Sequence, residues 1–215
     1  KFQHPKLHFN HLAIKSIYSM GFLFMTGWMI STLLNNSDII ILSNLSTKYD
    51  VGIYTAYVGN TRNYFLIFYQ DILATVLLPT ILNSSLKRSK LYQTLLKWLP
   101  VYFIVITIGT SVVTVFFILC YGSKYPMNGL YILWVSLGIG FLGVFNLCNT
   151  LIVTEGKEGA KFSVRLYRNT FLFLIGIIIG FTHHFGIYGT FFAHTINQFV
   201  LAFFSVRHIY QRRYS

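Results

Sequence analysis

Along the chain, long apolar runs alternate with short connections that are polar and basic. Six runs are long enough to be read as membrane spans, at about residues 16–42, 51–82, 94–119, 129–154, 166–181 and 188–209. A bilayer core of roughly 30 Å asks for about 20 apolar residues of helix. Lipid offers the backbone no hydrogen-bond partners, so a spanning segment must satisfy its own N–H and C=O groups, as a helix does. A membrane β-barrel would instead show stretches of about ten residues with alternating polarity, and none is present. The pattern therefore predicts an all-α polytopic membrane protein. Its parts are a segment 1–15, a six-helix bundle over 16–209 and a tail 210–215. The last two spans are separated only by Thr182-His183-His184-Phe185-Gly186, a turn that Gly186 and Gly189 make feasible.

Composition agrees with the pattern. Hydrophobic residues make up 54 % of the chain and charged ones 10 %, against about a quarter charged in a soluble domain. So few charges cannot cover a water-exposed surface.

The net charge of +12 would suggest nucleic acid if it formed one patch, but its distribution argues against that partner. Lys1, Lys6 and Lys15 precede the first span, and Lys87, Arg88, Lys90 and Lys97 follow the second. Lys157, Lys161, Arg165 and Arg168 lie between the fourth and fifth spans, and Arg207, Arg212 and Arg213 close the chain. The alternate connections hold only Lys48 and Lys124, and Arg62 lies within a span. Basic residues stay on the cytoplasmic side. Both ends are therefore expected in the cytoplasm, in a multi-pass protein of the cytoplasmic membrane whose basic edges attract anionic lipid headgroups.

The chain starts at Lys1 and shows no cleavable signal pattern, which suggests a piece of a longer protein. Cys120 and Cys148 fall at different depths, awkward for a disulfide, and read as inert thiols. No Cys/His spacing resembles a metal site, and nothing in the pattern asks for a cofactor.

Ionisable residues within membrane spans cost about 2.5–3.5 kcal/mol each on insertion scales, which makes them functional candidates. Asp38, Arg62 and Asp71 are three, accompanied by Asn35, Asn36, Asn60, Asn63 and Gln70. At 100° per residue Asn60, Asn63, Tyr64, Gln70 and Asp71 share one face of the second span. Arg62 points roughly the opposite way and lies about 13 Å along the axis from Asp71. Asp38, across the short connection 43–50, is its better partner. Two readings stand for these residues. In one, Asp38 and Arg62 form a structural ion pair and the amides bind helices together. In the other, they line a water-filled cavity in which Arg62 meets an anionic group such as a diphosphate. Asp71, with no basic residue within reach, is the candidate for cavity lining or ion coupling.

Elsewhere Asn146, Asn149 and Thr150 form a polar stripe on the fourth span, and Thr190, His194, Asn197 and Gln198 form one on the sixth. Gly176-x-x-x-Gly180 and Gly138-x-Gly140-x-x-Gly143 have spacings that permit close helix packing. Pro79, near the end of the second span, suggests a bend, whereas Pro100 lies early in the third span, where proline is tolerated.

The order of these features carries a resemblance. Asn35-Asn36-Ser37-Asp38-Ile39-Ile40-Ile41-Leu42 is followed by Asp50-Val51-Gly52-Ile53-Tyr54-Thr55-Ala56, then by Leu78-Pro79. Later come Glu155-Gly156-Lys157 and Phe185-Gly186-Ile187-Tyr188-Gly189-Thr190. Over nearly its whole length the chain resembles polysaccharide flippases of the multidrug/oligosaccharidyl-lipid/polysaccharide exporter superfamily, such as the O-antigen transporters. That resemblance implies the second of two six-helix bundles facing each other across a central cavity, with the amino-terminal half of the same transporter as partner. It also implies an undecaprenyl-diphosphate-linked oligosaccharide as substrate, moved across the cytoplasmic membrane in O-antigen, capsule or exopolysaccharide assembly. Arg62 is the residue here that would meet the diphosphate, flanked by Asn60 and Asn63.

Other readings remain open on the residues. A drug/cation antiporter or a lipid II flippase of the same superfamily differs in the sign of charge it needs in the cavity. A membrane-embedded sugar or acyl transferase needs clustered acid/base residues at a membrane edge, where the outer connections offer only Asp50, Lys48, Lys124, His183 and His184. Catalysis is therefore not expected. A non-transporting structural subunit is a further reading.

Overall fold

A computed structural model describes residues 11–76, 79 and 88–213. Among these the chain is helical, with no strand. The first helix, α1, covers His11–Leu45. A second rod follows, built from α2 (Lys48–Tyr54), a π-helical turn (Thr55–Gly59), α3 (Asn60–Ile67) and a second π-helical turn (Phe68–Ala74). Then come α4 (Arg88–Tyr121), a 3₁₀ turn (Gly122–Lys124), α5 (Gly129–Val153) and α6 (Lys157–Arg212).

Four helices among the described residues are long and apolar enough to cross a membrane, within Ile17–Leu45, Ser89–Tyr121, Gly129–Val153 and Lys157–Arg212. The expected count of six is not met among the described residues, at two places. The second expected span is divided by its π turns, and its end, including Leu78 and residues 80–82, lies outside the described residues, as do Lys1, Lys6 and Lys87. The fifth and sixth expected spans run together as one helical segment, α6, broken at Gly186 (φ 57°, ψ −137°). That break folds α6 back on itself. The Asn197 side-chain amide lies 3.5 Å from the Leu174 carbonyl, and the Phe162 ring stacks on His208 with centroids 4.0 Å apart. On a straight helix at 1.5 Å per residue these pairs would be about 35 and 69 Å apart. We call residues 157–185 and 187–212 the first and second limbs. Glycine is required at two points of the reversal. Gly186 holds a positive φ, and a Cβ on Gly189 would stand 1.9 Å from the Phe181 carbonyl oxygen.

The helices also overrun the apolar spans. Polar end turns such as residues 88–93 and 157–165 remain helical, because hydropathy marks the lipid-buried part of a helix and not its hydrogen-bonded ends. One consequence concerns Pro100. It lies inside α4, twelve residues past Arg88, instead of near a helix start.

The core is organised on α5, which packs against α4 and α6, while α1 packs on α6. Val135, Ile139, Leu142, Phe145, Cys148 and Ile152 of α5 are buried. The glycines of α5 allow close approach, since a Cβ at Gly138 would meet His194 at 2.9 Å and one at Gly140 would meet Thr107 at 2.3 Å. Gly176 and Gly180 behave differently: nothing lies within 4 Å of a Cβ built on either. Their spacing, which permits close helix packing, seats no neighbour among the described residues.

The turn into α2 is a capping box. Thr47 accepts from the Asp50 N–H at 3.2 Å, and the Asp50 carboxylate accepts from the Thr47 hydroxyl at 2.8 Å and from its N–H at 3.4 Å. Burial alone would raise the Asp50 carboxyl, but the hydrogen bonds from Ser46 and Thr47 outweigh it and hold it below its ordinary value. Because the folded value is depressed, this cap contributes fully above the ordinary carboxylate range and is lost as pH falls through the folded value. Thr47→Ala is expected to destabilise the protein by about 1 kcal/mol. Thermal unfolding in detergent, wild type against variant, checks this, and an unchanged midpoint would show the box to be idle.

Candidate functional site

Asp38, Arg62 and His194 are 2 %, 4 % and 3 % exposed, and Tyr54 is fully buried. They meet where α1, the second rod and the second limb of α6 converge. The Tyr54 hydroxyl donates to Asp38 Oδ2 at 2.7 Å, Arg62 Nη1 lies 3.4 Å from the same oxygen, and His194 Nδ1 lies 3.2 Å from it. The other oxygen, Oδ1, accepts from the Ile39 N–H at 2.8 Å. In a regular helix that N–H serves the Asn35 carbonyl, and here the Asn35 carbonyl accepts from Arg62 Nη1. The buried carboxylate is thus surrounded by donors, as a charge in a low-dielectric interior must be.

Local helical geometry explains the assembly. Ser31, Asn35 and Asp38 recur at four- and three-residue spacing, hence on one face of α1. From Asp38 the polar ladder continues along that face. Gln198 Nε2 donates to Asn35 Oδ1 at 3.3 Å, Asn35 Nδ2 donates to Ser31 Oγ at 3.3 Å, and Ser31 Oγ donates to the Tyr167 hydroxyl at 3.1 Å. Beside the ladder lies a cavity of about 150 Å³ whose lining includes Ser31, Asn35, Gln70, Asn146, Tyr167 and Gln198. Two polar atoms buried at its wall, Gln198 Oε1 and Asn146 Nδ2, have no hydrogen-bond partner among the described residues. An unpartnered buried amide group costs about 1–3 kcal/mol, so the cavity is built for water or for a polar guest.

The candidate residues from the sequence fall in different places. Asp38 and Arg62 form the ion pair that the antiparallel packing of α1 and the second rod predicts. Gln70 and Asn146 line the cavity, whereas Asn149 accepts from Ser163 at 2.5 Å and lines a neighbouring cavity of about 200 Å³ with Ser31 and Tyr167. Asn60, half-buried, donates to the Tyr121 hydroxyl of α4. Asn63, Gln70 and Asp71 are exposed. Arg62, the residue nominated to meet a diphosphate, is turned inward and already engaged by Asp38 and Asn35.

Sequence reasoning did not link Tyr54 or His194 to Asp38. Their polarity is visible in the sequence, but a contact spanning 156 residues depends on how α6 folds back, which no local pattern states. The same holds for a second polar junction at the other end of the bundle. There Glu155, between α5 and α6, accepts from the Tyr92 hydroxyl of α4 at 2.5 Å and lies 3.6 Å from His208 of α6. Both thiols are free, Cys120 exposed and Cys148 buried. No group of three His, Cys, Asp or Glu side chains suited to a metal ion occurs among the described residues.

No protein-family model, no characterised protein sequence and no solved structure matches this chain.

Proposed function

We propose that this chain is the carboxyl-terminal bundle of a transporter that moves lipid-linked, undecaprenyl-diphosphate-type oligosaccharide across the cytoplasmic membrane. In this reading the second rod is a full span and the two limbs of α6 are two more, which gives six crossings with both ends cytoplasmic. The bundle works against an amino-terminal partner half, and the site transports instead of catalysing.

The observation that carries the reading is a polar face left uncovered beside the buried network. Thr32 and Asn36 on α1, with Asn63, Gln70 and Asp71 on the second rod, are exposed. Thr32 and Gln70 also line the 150 Å³ cavity, so that cavity reaches the surface there. Lipid does not solvate such a stripe, and polar groups within a membrane face a bundle interior or water. A second bundle across an aqueous cleft satisfies both conditions and offers hydroxyl-rich sugars a hydrogen-bonding wall.

The cation antiporter is the rival, and it needs free carboxylates. Asp38 is neutralised by Arg62, Asp50 is tied into its cap, Glu155 is held by Tyr92, and Glu158 is paired with Lys161 at 2.7 Å. Asp71 alone is left for that role, and because the same pair withholds Arg62 from a diphosphate, charge does not separate the two readings and the uncovered amides carry the oligosaccharide one.

Asn63→Leu and Gln70→Leu, introduced together into the full gene, are expected to reduce surface polysaccharide at least tenfold in a flippase-deficient strain. Protein level and thermal stability should stay at wild type, since both positions are exposed. Undiminished polysaccharide would remove the stripe from the substrate path. A wild-type gene that never restores polysaccharide with matched repeat units would overturn the flippase reading.

A further inference from the structure

The outward-facing seam of α6 carries a second feature, unrelated to the polar network. Between the two limbs runs a groove of about 520 Å³, lined by Phe162, Arg165, Leu166, Asn169, Thr170, Phe173, Val200 and Phe204. Phe173 is 62 % exposed. Phe173 also begins a second hollow of about 510 Å³ that continues past Gly176 and Gly180 to Phe185. The open glycines form its floor.

One end of this groove is lined by Arg165, and the second limb brings Arg207 near the same end. The stacking of Phe162 on His208 and the Asn197–Leu174 contact set the register of the two limbs, placing Arg165 level with Ser205 and Val206, within a turn of Arg207. Arg207 lies three residues beyond Phe204 and seven beyond Val200, so it shares their face. Both arginines are exposed, and neither has a carboxylate in ion-pair range among the described residues. From Arg165 to Gly176 is eleven residues, about 16 Å of helix, close to half of the roughly 30 Å hydrocarbon core. A pair of guanidinium groups followed by a single-leaflet length of apolar trough matches an anionic headgroup with an acyl chain behind it. Guanidinium forks suit phosphate oxygens, and a choline headgroup would meet Arg168, close by in the same helix, with like charge.

We propose that this groove binds one anionic phospholipid, its phosphate held by Arg165 and Arg207 and one acyl chain lying along Phe173, Val200 and Phe204 toward Gly176. The proposal rests on α6 being embedded in a membrane, as read above, but not on what is transported.

Native mass spectrometry of the purified protein in detergent tests it, with palmitoyl-oleoyl phosphatidylglycerol and phosphatidylcholine as probes. The expected result is one phosphatidylglycerol adduct retained at least fivefold more than phosphatidylcholine. Arg165→Gln with Arg207→Gln should abolish that preference, and Gly176→Leu, which raises the floor, should weaken both lipids. Free glycerol phosphate should not compete, because the chain supplies much of the binding. Equal retention of the two lipids, or a preference unchanged in the double variant, would overturn the proposal. So would efficient disulfide cross-linking between copies through Gly176→Cys, which would make the trough a seat for a second helix. Monodisperse elution of each variant guards against misfolding. The readout is independent of transport, so a failed complementation and a failed lipid preference point to different errors.

Discussion

Arg62→Ala lowers the stability of the folded bundle by about 3–5 kcal/mol, the cost of leaving a buried charge without its partner. The stranded group is Asp38, 2 % exposed, which keeps only Tyr54, His194 and the Ile39 N–H. The Asn35 carbonyl loses its side-chain donor at the same time. Thermal or denaturant unfolding in detergent reads the loss, and a change below about 1 kcal/mol would show the carboxylate to be solvated after all. The companion variant, Asp38→Leu with Arg62→Met, replaces the pair by apolar side chains and should recover most of the stability, since such exchanges are often neutral or stabilising. What separates structure from transport is the phenotype of that recovered protein. Surface polysaccharide at wild-type level in the double variant would make the pair a fastening and nothing more. A stable but inactive protein would place the charges in the transport cycle, for example as a contact that α1 and the second rod must break and remake.

Two glycines nine residues apart are expected to respond with opposite sign. Gly189→Ala puts a Cβ 1.9 Å from the Phe181 carbonyl oxygen. Backbone cannot swing aside as a side chain can, so the limbs of α6 must separate, at a cost at or beyond the about 1–3 kcal/mol of ordinary overpacking. Separation would also disturb the Thr182–Thr190 hydroxyl contact (2.9 Å) and the Phe181–Phe192 ring pair (5.0 Å). Gly180→Ala meets nothing within 4 Å and should stabilise the helix by up to about 1 kcal/mol through helix propensity alone. Unfolding midpoints of the two variants side by side test this. Equal effects would mean that the reversal at Gly186 is not the close one described.

Both expectations turn on how far apart in the chain the interacting groups lie, and the same distinction separates what could be read from sequence. The apolar runs, the poor charge content and the basic connections establish helices suited to a membrane, because each is a local property of the chain and its solvent. The reversal at Gly186 was legible for the same reason: glycine signals a backbone conformation closed to other residues, which Gly186 adopts, while Gly189 serves by close approach. The Asp38–Arg62 pair was also within reach, since α1 and the second rod are joined by a two-residue gap, Ser46–Thr47, and helical phase then limits the partners.

Tertiary structure alone decided the rest. The π turns on either side of α3 were not legible, as no residue pattern announced an i→i+5 step. Gly138, Gly140 and Gly143 have the same kind of spacing as Gly176 and Gly180, yet the first set is packed and the second is open. Small residues permit close approach, but which neighbour arrives depends on the whole bundle. Most of all, the convergence of Tyr54 and His194 on Asp38, and of Gln198 and Asn146 on one cavity, required α6 to fold back against α1 and α5. The sequence by itself determined the solvent of each segment and the handful of ionisable and polar side chains that a membrane makes costly. Packing determined which of them neutralise one another and which are left facing a cavity, because Coulombic and hydrogen-bond partners are set by distances in space, and these helices bring together residues far apart in the chain.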